Sequence, residues 1–140
     1  MVKKGLLGTA AVAALVFSVA LGAQSGSKEK IERGRYLVEE IGKCQECHTP
    51  RLENGQFDRT KWLKGAMIDF KPTHPMPKWE EMAPDITSTG KVKEWGEKGL
   101  SGFLETGAGP EGDKADPPMP FYTMKPEDAE AIAAYLGSLK

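Results

Sequence analysis

The stretch that decides the fold is Cys44-Gln45-Glu46-Cys47-His48. Two thiols three residues apart stand on one side of a helical turn, and an imidazole follows at once. The C-x-x-C-H spacing is the attachment signature of c-type haem. The thiols reach the two vinyl positions on one edge of the porphyrin, and the next residue projects its imidazole at the iron. Cys44 and Cys47 are therefore the candidate covalent attachment points and His48 a candidate axial ligand; the chain has no other cysteine.

Three other readings of the motif are weaker. A disulfide between Cys44 and Cys47 closes too small a loop to stabilise much, and it leaves His48 unexplained. A thioredoxin-like pair calls for a preceding strand and a βαβ pattern, neither of which the flanking sequence offers. A zinc site needs four ligands, and the one further histidine, His74, would have to join Cys44, Cys47 and His48.

Upstream of the motif, Ile31, Gly34, Leu37, Val38 and Ile41 recur at helical spacing, with Glu32, Arg33, Glu39 and Glu40 opposite. An amphipathic helix from Lys30 to about Gly42 follows, preceded by a polar leader over residues 24–29. Still earlier, Lys3 and Lys4 precede an apolar run from Leu6 to Leu21, and Ala20-Leu21-Gly22-Ala23 supplies small residues for cleavage. Residues 1–23 thus read as an export signal, the alternative being an uncleaved anchor, since about twenty apolar residues span a bilayer. Export suits covalent haem, and the expected location is the bacterial periplasm, with a tether to the inner membrane if the signal is kept. Residues 24–140 then form one domain. The 19 basic and 20 acidic residues of the whole chain become 17 and 20 once Lys3 and Lys4 are removed, a net charge of −3. That balance argues against nucleic acid as a partner.

Downstream, breakers dominate. Between Thr49 and Gly90 only one short helical turn is expected, around Asp58 to Leu63, and Lys71-Pro72-Thr73-His74-Pro75-Met76-Pro77 excludes an ordinary helix. A long irregular loop in so small a domain needs something to wrap around. Helical character returns from Glu94 to Gly107, with Leu100, Phe103 and Leu104 on one side and Gly107 as C-cap, though Gly96, Gly99 and Gly102 weaken it. The last segment is clearest: Pro126 opens a helix, Glu127 and Asp128 complement its dipole, and Ile132, Tyr135, Leu136 and Leu139 form one stripe.

One histidine leaves the iron needing a second ligand or an open position. Met119 lies in Asp116-Pro117-Pro118-Met119-Pro120, where flanking prolines stiffen the loop and hold a thioether in place just ahead of the last helix. Methionine more often fills a core, and that reading stands for Met67 and Met82. Met76 and Met124 are the substitutes for Met119, with His74 a weaker one; scattered carboxylates such as Glu80, Glu81 and Asp85 read as a solvated loop.

These residues resemble the monohaem, class I cytochrome c family, above all bacterial periplasmic members and the cytochrome subunits of dehydrogenases. Arg33-Gly34-Arg35-Tyr36-Leu37-Val38 leading into Cys44-x-x-Cys47-His48-Thr49-Pro50 carries the first half of the likeness. Ala83-Pro84-Asp85-Ile86-Thr87, Trp95, Phe103 to Gly107, Pro117 to Pro120 and Asp128 to Leu139 carry the second. The resemblance implies an all-α, class I cytochrome c fold, its N- and C-terminal helices packed around one covalent haem c, with long irregular central loops. It implies that Cys44 and Cys47 bind the haem, with His48 proximal and Met119 distal. Pro50 would pack by the histidine, its region supplying a carbonyl to orient the ring, and Gly34 would let the terminal helices cross closely near Tyr135.

The sequence departs from that pattern in two places. Lys125 stands where a capping serine or threonine is usual. The segment Phe70 to Glu81 reads as an insertion, whose Trp79 either covers a haem edge or fills the core. The function implied is a non-enzymatic electron carrier between redox proteins. The alternatives are a haem enzyme or gas-binding cytochrome with an open or displaceable sixth position, and the cytochrome subunit of a dehydrogenase complex.

Overall fold

The computed structural model describes residues 26–140, so the leader expected over residues 1–23 lies outside the described chain. Helix α1 occupies residues 26–36 and continues into a π-helical turn, Leu37–Ile41, that ends at Gly42. The helix includes residues 26–29, which the sequence reading assigned to a polar leader; they are exposed and extend the helix without adding to the core. The π turn arises because the Gly42 N–H reaches back to the Leu37 carbonyl at 2.7 Å and the Cys44 N–H to the Val38 carbonyl at 3.1 Å. The widened turn leaves the Glu39 carbonyl to a side chain, and the Gln45 amide donates to it at 2.9 Å. Apolar spacing alone carries no trace of this, since it reports which face is buried and not which carbonyl each N–H selects.

A single turn, α2 (Gln45–His48), carries the thiol motif. The turn expected near Asp58 is a 3-10 helix, Arg59–Lys61, whose N-cap Asp58 accepts from the Thr60 N–H at 2.9 Å. Two two-residue strands follow, β1 (Ala66–Met67) and β2 (Met82–Ala83), paired antiparallel with Ala66 opposite Ala83. They add a short ladder to an otherwise helical chain, one too brief to leave an alternating pattern in the sequence.

Helix α3 (Lys91–Thr106) begins a turn earlier than expected and bends at Gly96, where φ 70° is open to glycine without strain. Gly107 closes it in the left-handed conformation. Helix α4 (Pro126–Ser138) starts on Pro126, and Lys125 contributes no side-chain cap, as its residue type implied. Helices α1 and α4 cross at Gly34, where an added Cβ would stand 1.9 Å from the Ala131 carbonyl oxygen and 2.8 Å from Tyr135 Cβ. That contact admits glycine alone. Ion pairs Lys30–Glu130 (2.6 Å) and Arg33–Asp128 (3.0 Å) flank the crossing.

The core joins Val38, Leu63, Val92, Leu100, Phe103, Leu104, Ile132, Tyr135 and Leu136, with alanines of α4 between them. Trp79 lies outside it, packed edge-on against Phe70 at 5.7 Å between ring centres, so the core-filling role is corrected. A rigid helix such as α4 can pull a tryptophan into the core, whereas this one sits on a proline-rich loop that supplies its own aromatic partner. No helix among the described residues is long and apolar enough to cross a membrane.

Candidate functional site

Helix α1 ends where the motif begins, and Lys43, at φ 50°, turns the chain from one into the other. Within α2 the His48 N–H donates to the Cys44 carbonyl at 2.9 Å, which closes the turn and sets both thiols on it. Neither cysteine is in a disulfide. Burial pushes the Cys44 thiol up to about 11, and burial with the nearby Glu46 and Asp69 carboxylates raises Cys47. A redox-active C-x-x-C pair shows the opposite shift. His74 is exposed on its loop, and no cluster of three metal-binding side chains occurs among the described residues.

The imidazole of His48 is 5 % exposed, and its Nδ1 lies 2.8 Å from the Pro84 carbonyl oxygen. A carbonyl only accepts, so Nδ1 carries the proton and Nε2 keeps its lone pair for a metal. Burial lowers the His48 pKa, which favours the neutral, ligating form. The orienting carbonyl therefore comes from Pro84 and not from the Pro50 region, which corrects the sequence reading. The Pro50 carbonyl is already taken by the Asp58 N–H at 2.8 Å.

The β ladder explains how a residue so distant in sequence reaches His48. Gly65, just before β1, donates its N–H to the His48 carbonyl at 2.8 Å. The Ala66–Ala83 pairing then delivers Pro84, the residue after β2, to the imidazole. A Cβ on Gly65 would fall 2.7 Å from the Ala83 oxygen and 3.0 Å from the Pro84 carbonyl carbon, so its glycine identity permits the approach. Sequence reasoning passed over Gly65 and quoted Pro84 only as part of the family likeness, without its role toward His48, since nothing local links a loop glycine to a proline nineteen residues on.

Asp85 is also not the solvated carboxylate that was expected. Burial pulls its pKa up, but hydrogen bonds from the Thr89 hydroxyl and from the Thr87 N–H and hydroxyl together hold it below the usual carboxylate range. The pattern Asp85-x-Thr87-x-Thr89, rich in side chains that close turns on their own backbone, was the available signal.

Met119 is half-buried and packs against the same core cluster as Cys44. Its loop is held by the Met119 N–H on the Asp116 carbonyl (3.3 Å) and by the Glu80 N–H on the Pro117 carbonyl (2.7 Å). Tyr122 follows, its phenol raised by burial and by the proximity of Cys44 and Cys47. Among the substitutes, Met124 also packs on the core, whereas Met76 is exposed; Met67 and Met82, expected in the core, are exposed as well. Their side chains point to the open face of the two-stranded ladder, opposite the buried Ala66 and Ala83. Two neutral thiols on one turn, a lone-pair Nε2 and a core-facing thioether make a donor set that fits covalent haem.

The sequence matches the family described as Cytochrome c over residues 31–140. It is 37 % identical over 110 residues to a diheme cytochrome c-type protein of Cereibacter sphaeroides, an alignment covering 75 % of this chain and 34 % of that protein. It is 35 % identical over 115 residues to a subunit of the nicotinate dehydrogenase of Pseudomonas putida (77 % and 9 %). It is 32 % identical over 116 residues to the fructose dehydrogenase cytochrome subunit of Gluconobacter japonicus (76 % and 21 %). The chain thus spans about a third or less of the length of these relatives.

Proposed function

The chain belongs to the cytochrome c family, and from that premise we propose that it carries one haem c per chain, bound through Cys44 and Cys47, with His48 and Met119 as axial ligands. It is a haem cytochrome that moves electrons between redox proteins. The observation that carries the His48 assignment is the 2.8 Å contact between its Nδ1 and the Pro84 oxygen. It fixes the tautomer, aims Nε2 and raises the basicity of the ring as a ligand. Haem supplies a one-electron couple, and His/Met ligation sets a higher potential than two nitrogen ligands and leaves no open position. The residues around it keep both ligands in place, so electron transfer proceeds with little rearrangement.

In a host competent in haem attachment, the mature protein should show Soret absorbance, no free thiols and the mass of one haem. Two free thiols and no Soret band would overturn the assignment. The ferric protein should show the near-infrared methionine-to-iron charge-transfer band, and Met119→Ala should abolish it. A band absent from the wild type points to the displaceable-ligand alternative, and a band unaltered in Met119→Ala redirects the assignment to Met124.

Residues 1–23 read as an export signal, and on that reading the carrier works outside the cytoplasm of a bacterium, tethered to the inner membrane if the signal is retained. A second reading draws on the relatives, two of which are named as dehydrogenase subunits. On that reading the electron donor is a dehydrogenase, met through a small transient interface or within a complex. Reduction of the purified cytochrome by a co-expressed dehydrogenase, faster than by dehydrogenases of unrelated origin, is the corresponding test.

A further inference from the structure

The peptide unit joining Pro84 to Asp85 carries the carbonyl that holds the His48 ring. It is clamped on two sides. Gly65 presses on one, its missing Cβ leaving room for Asp85 N and the Pro84 carbonyl carbon, each 3.0 Å from where that atom would be. On the other, the Asp85 carboxylate folds back on its own loop. Oδ1 accepts from the Thr87 N–H and from the Thr87 hydroxyl, both at 2.7 Å, and Oδ2 accepts from the Thr89 hydroxyl at 2.6 Å. The Asp85 carbonyl accepts from the Lys91 N–H at 2.8 Å, and Gly90 packs so tightly beneath it that a Cβ would come within 2.1 Å of its oxygen. Thr87 is fully buried and Ile86 donates to the Leu63 carbonyl at 3.1 Å, so the loop has little freedom.

Rotation about the Asp85 N–Cα bond would swing the Pro84 carbonyl away from Nδ1, and the carboxylate-closed turn restrains that rotation. We infer that Asp85 is a positioning residue for the His48 imidazole: its turn fixes the plane of the Pro84–Asp85 peptide and thereby sets how strongly Nε2 donates to the iron. The inference rests on the ligand role proposed for His48. Histidine ligands are tuned by the partner of their other nitrogen, and here that partner is a backbone oxygen which a side chain one residue away holds in register. Loosening it weakens the Nδ1–H bond, lowers the donor strength of the ring, destabilises the ferric state and raises the reduction potential.

The test uses the haem-loaded protein and two readouts: hydrogen exchange of the His48 Nδ1–H by NMR in the ferrous state, and the reduction potential by film voltammetry. Asp85→Ala should speed exchange by at least about tenfold, the worth of a hydrogen bond to a charged group, and raise the potential. Asp85→Asn removes the same charge but keeps an acceptor for both Thr87 bonds, so its exchange should stay near wild type. Wild-type exchange in Asp85→Ala, or equal shifts of both readouts in the Ala and Asn variants, overturns the positioning role. If Asp85→Ala yields no folded protein, Asp85→Glu decides, since it keeps the charge but moves the carboxylate one methylene away from the Thr87 N–H and hydroxyl that close the turn: faster exchange supports the role and unchanged exchange overturns it. Soret absorbance of the same samples separates the two claims. Haem-loaded variants with unaltered exchange refute positioning alone, and a chain that purifies with free thiols refutes both.

Discussion

The Tyr135 hydroxyl donates to Glu39 at 2.5 Å and accepts from the Trp62 indole at 3.4 Å, so one phenol on α4 ties the π turn of α1 to the central loop. The residue is 6 % exposed. Removing the hydroxyl in Tyr135→Phe leaves Glu39, largely covered, with only Arg35 at 3.6 Å. A loss of about 1–3 kcal/mol is expected by urea denaturation near neutral pH. The same pair predicts a pH dependence. Burial and the Glu39 carboxylate raise Tyr135 from 10 to about 12. Its folded pKa exceeds its unfolded one, so this stabilisation is complete below pH 10 and is lost as pH rises through 12. Stability should fall by an amount on the order of 2 kcal/mol across that window, and Tyr135→Phe should flatten the decline. An equally steep decline in the variant would show that another group is responsible.

Two glycines govern how the elements meet. Gly34→Ala puts a methyl into the Ala131 carbonyl at the α1–α4 crossing. The helices must part, at a cost of roughly 1–3 kcal/mol or more, measurable as a lower urea midpoint with unchanged slope. Gly107 ends α3 in the left-handed conformation, and a Cβ there would overlap the Phe121 ring at 1.9 Å. Since Phe121 lies two residues beyond Met119, Gly107→Ala should displace the loop that presents the thioether. The expected signature is a weakened near-infrared band with Soret absorbance retained, whereas an intact band would mean that the loop is anchored elsewhere. The crossing at Gly34 was implied by the family resemblance, and the apolar spacing of its helix only placed Gly34 on the inward face. The roles of Gly65 and Pro84 were not legible, because the two-residue strands that bring them to His48 are held by backbone hydrogen bonds and leave no side-chain rhythm. The π turn was hidden for the same reason. Asp85 was misread because composition marks a loop as polar without telling whether its carboxylate faces water or its own backbone.

At the scale of the molecule, the helical frame and the thiol motif were readable because both rest on spacing, while the way the loops close over His48 depends on contacts between distant residues. The buried apolar set among the described residues includes five alanines, Ala66, Ala83, Ala129, Ala131 and Ala133, alongside nine larger side chains. Small side chains let helices approach but remove little apolar surface from water. No disulfide closes the loops between Thr49 and Gly90. Meanwhile Tyr36, Ile41, Leu52, Met67, Phe70, Met76, Met82 and Phe121 are 45 % or more exposed. A bulky apolar group anchored to Cys44 and Cys47 and gripped by His48 would stabilise the folded state alone, because no unfolded chain presents the Pro84 carbonyl and a loop thioether together with the motif. The double variant Cys44→Ser/Cys47→Ser, expressed beside the wild type, should therefore unfold at a lower urea concentration and lose at least about 2–4 kcal/mol. Its near-ultraviolet circular dichroism should weaken more than its far-ultraviolet signal, since α1 and α4 still have Gly34 and Tyr135 to dock on while the central loops lose their support. Equal stability of the variant and the haem-loaded protein would mean that the polypeptide closes its loops by itself, and that the cofactor is a passenger in the fold.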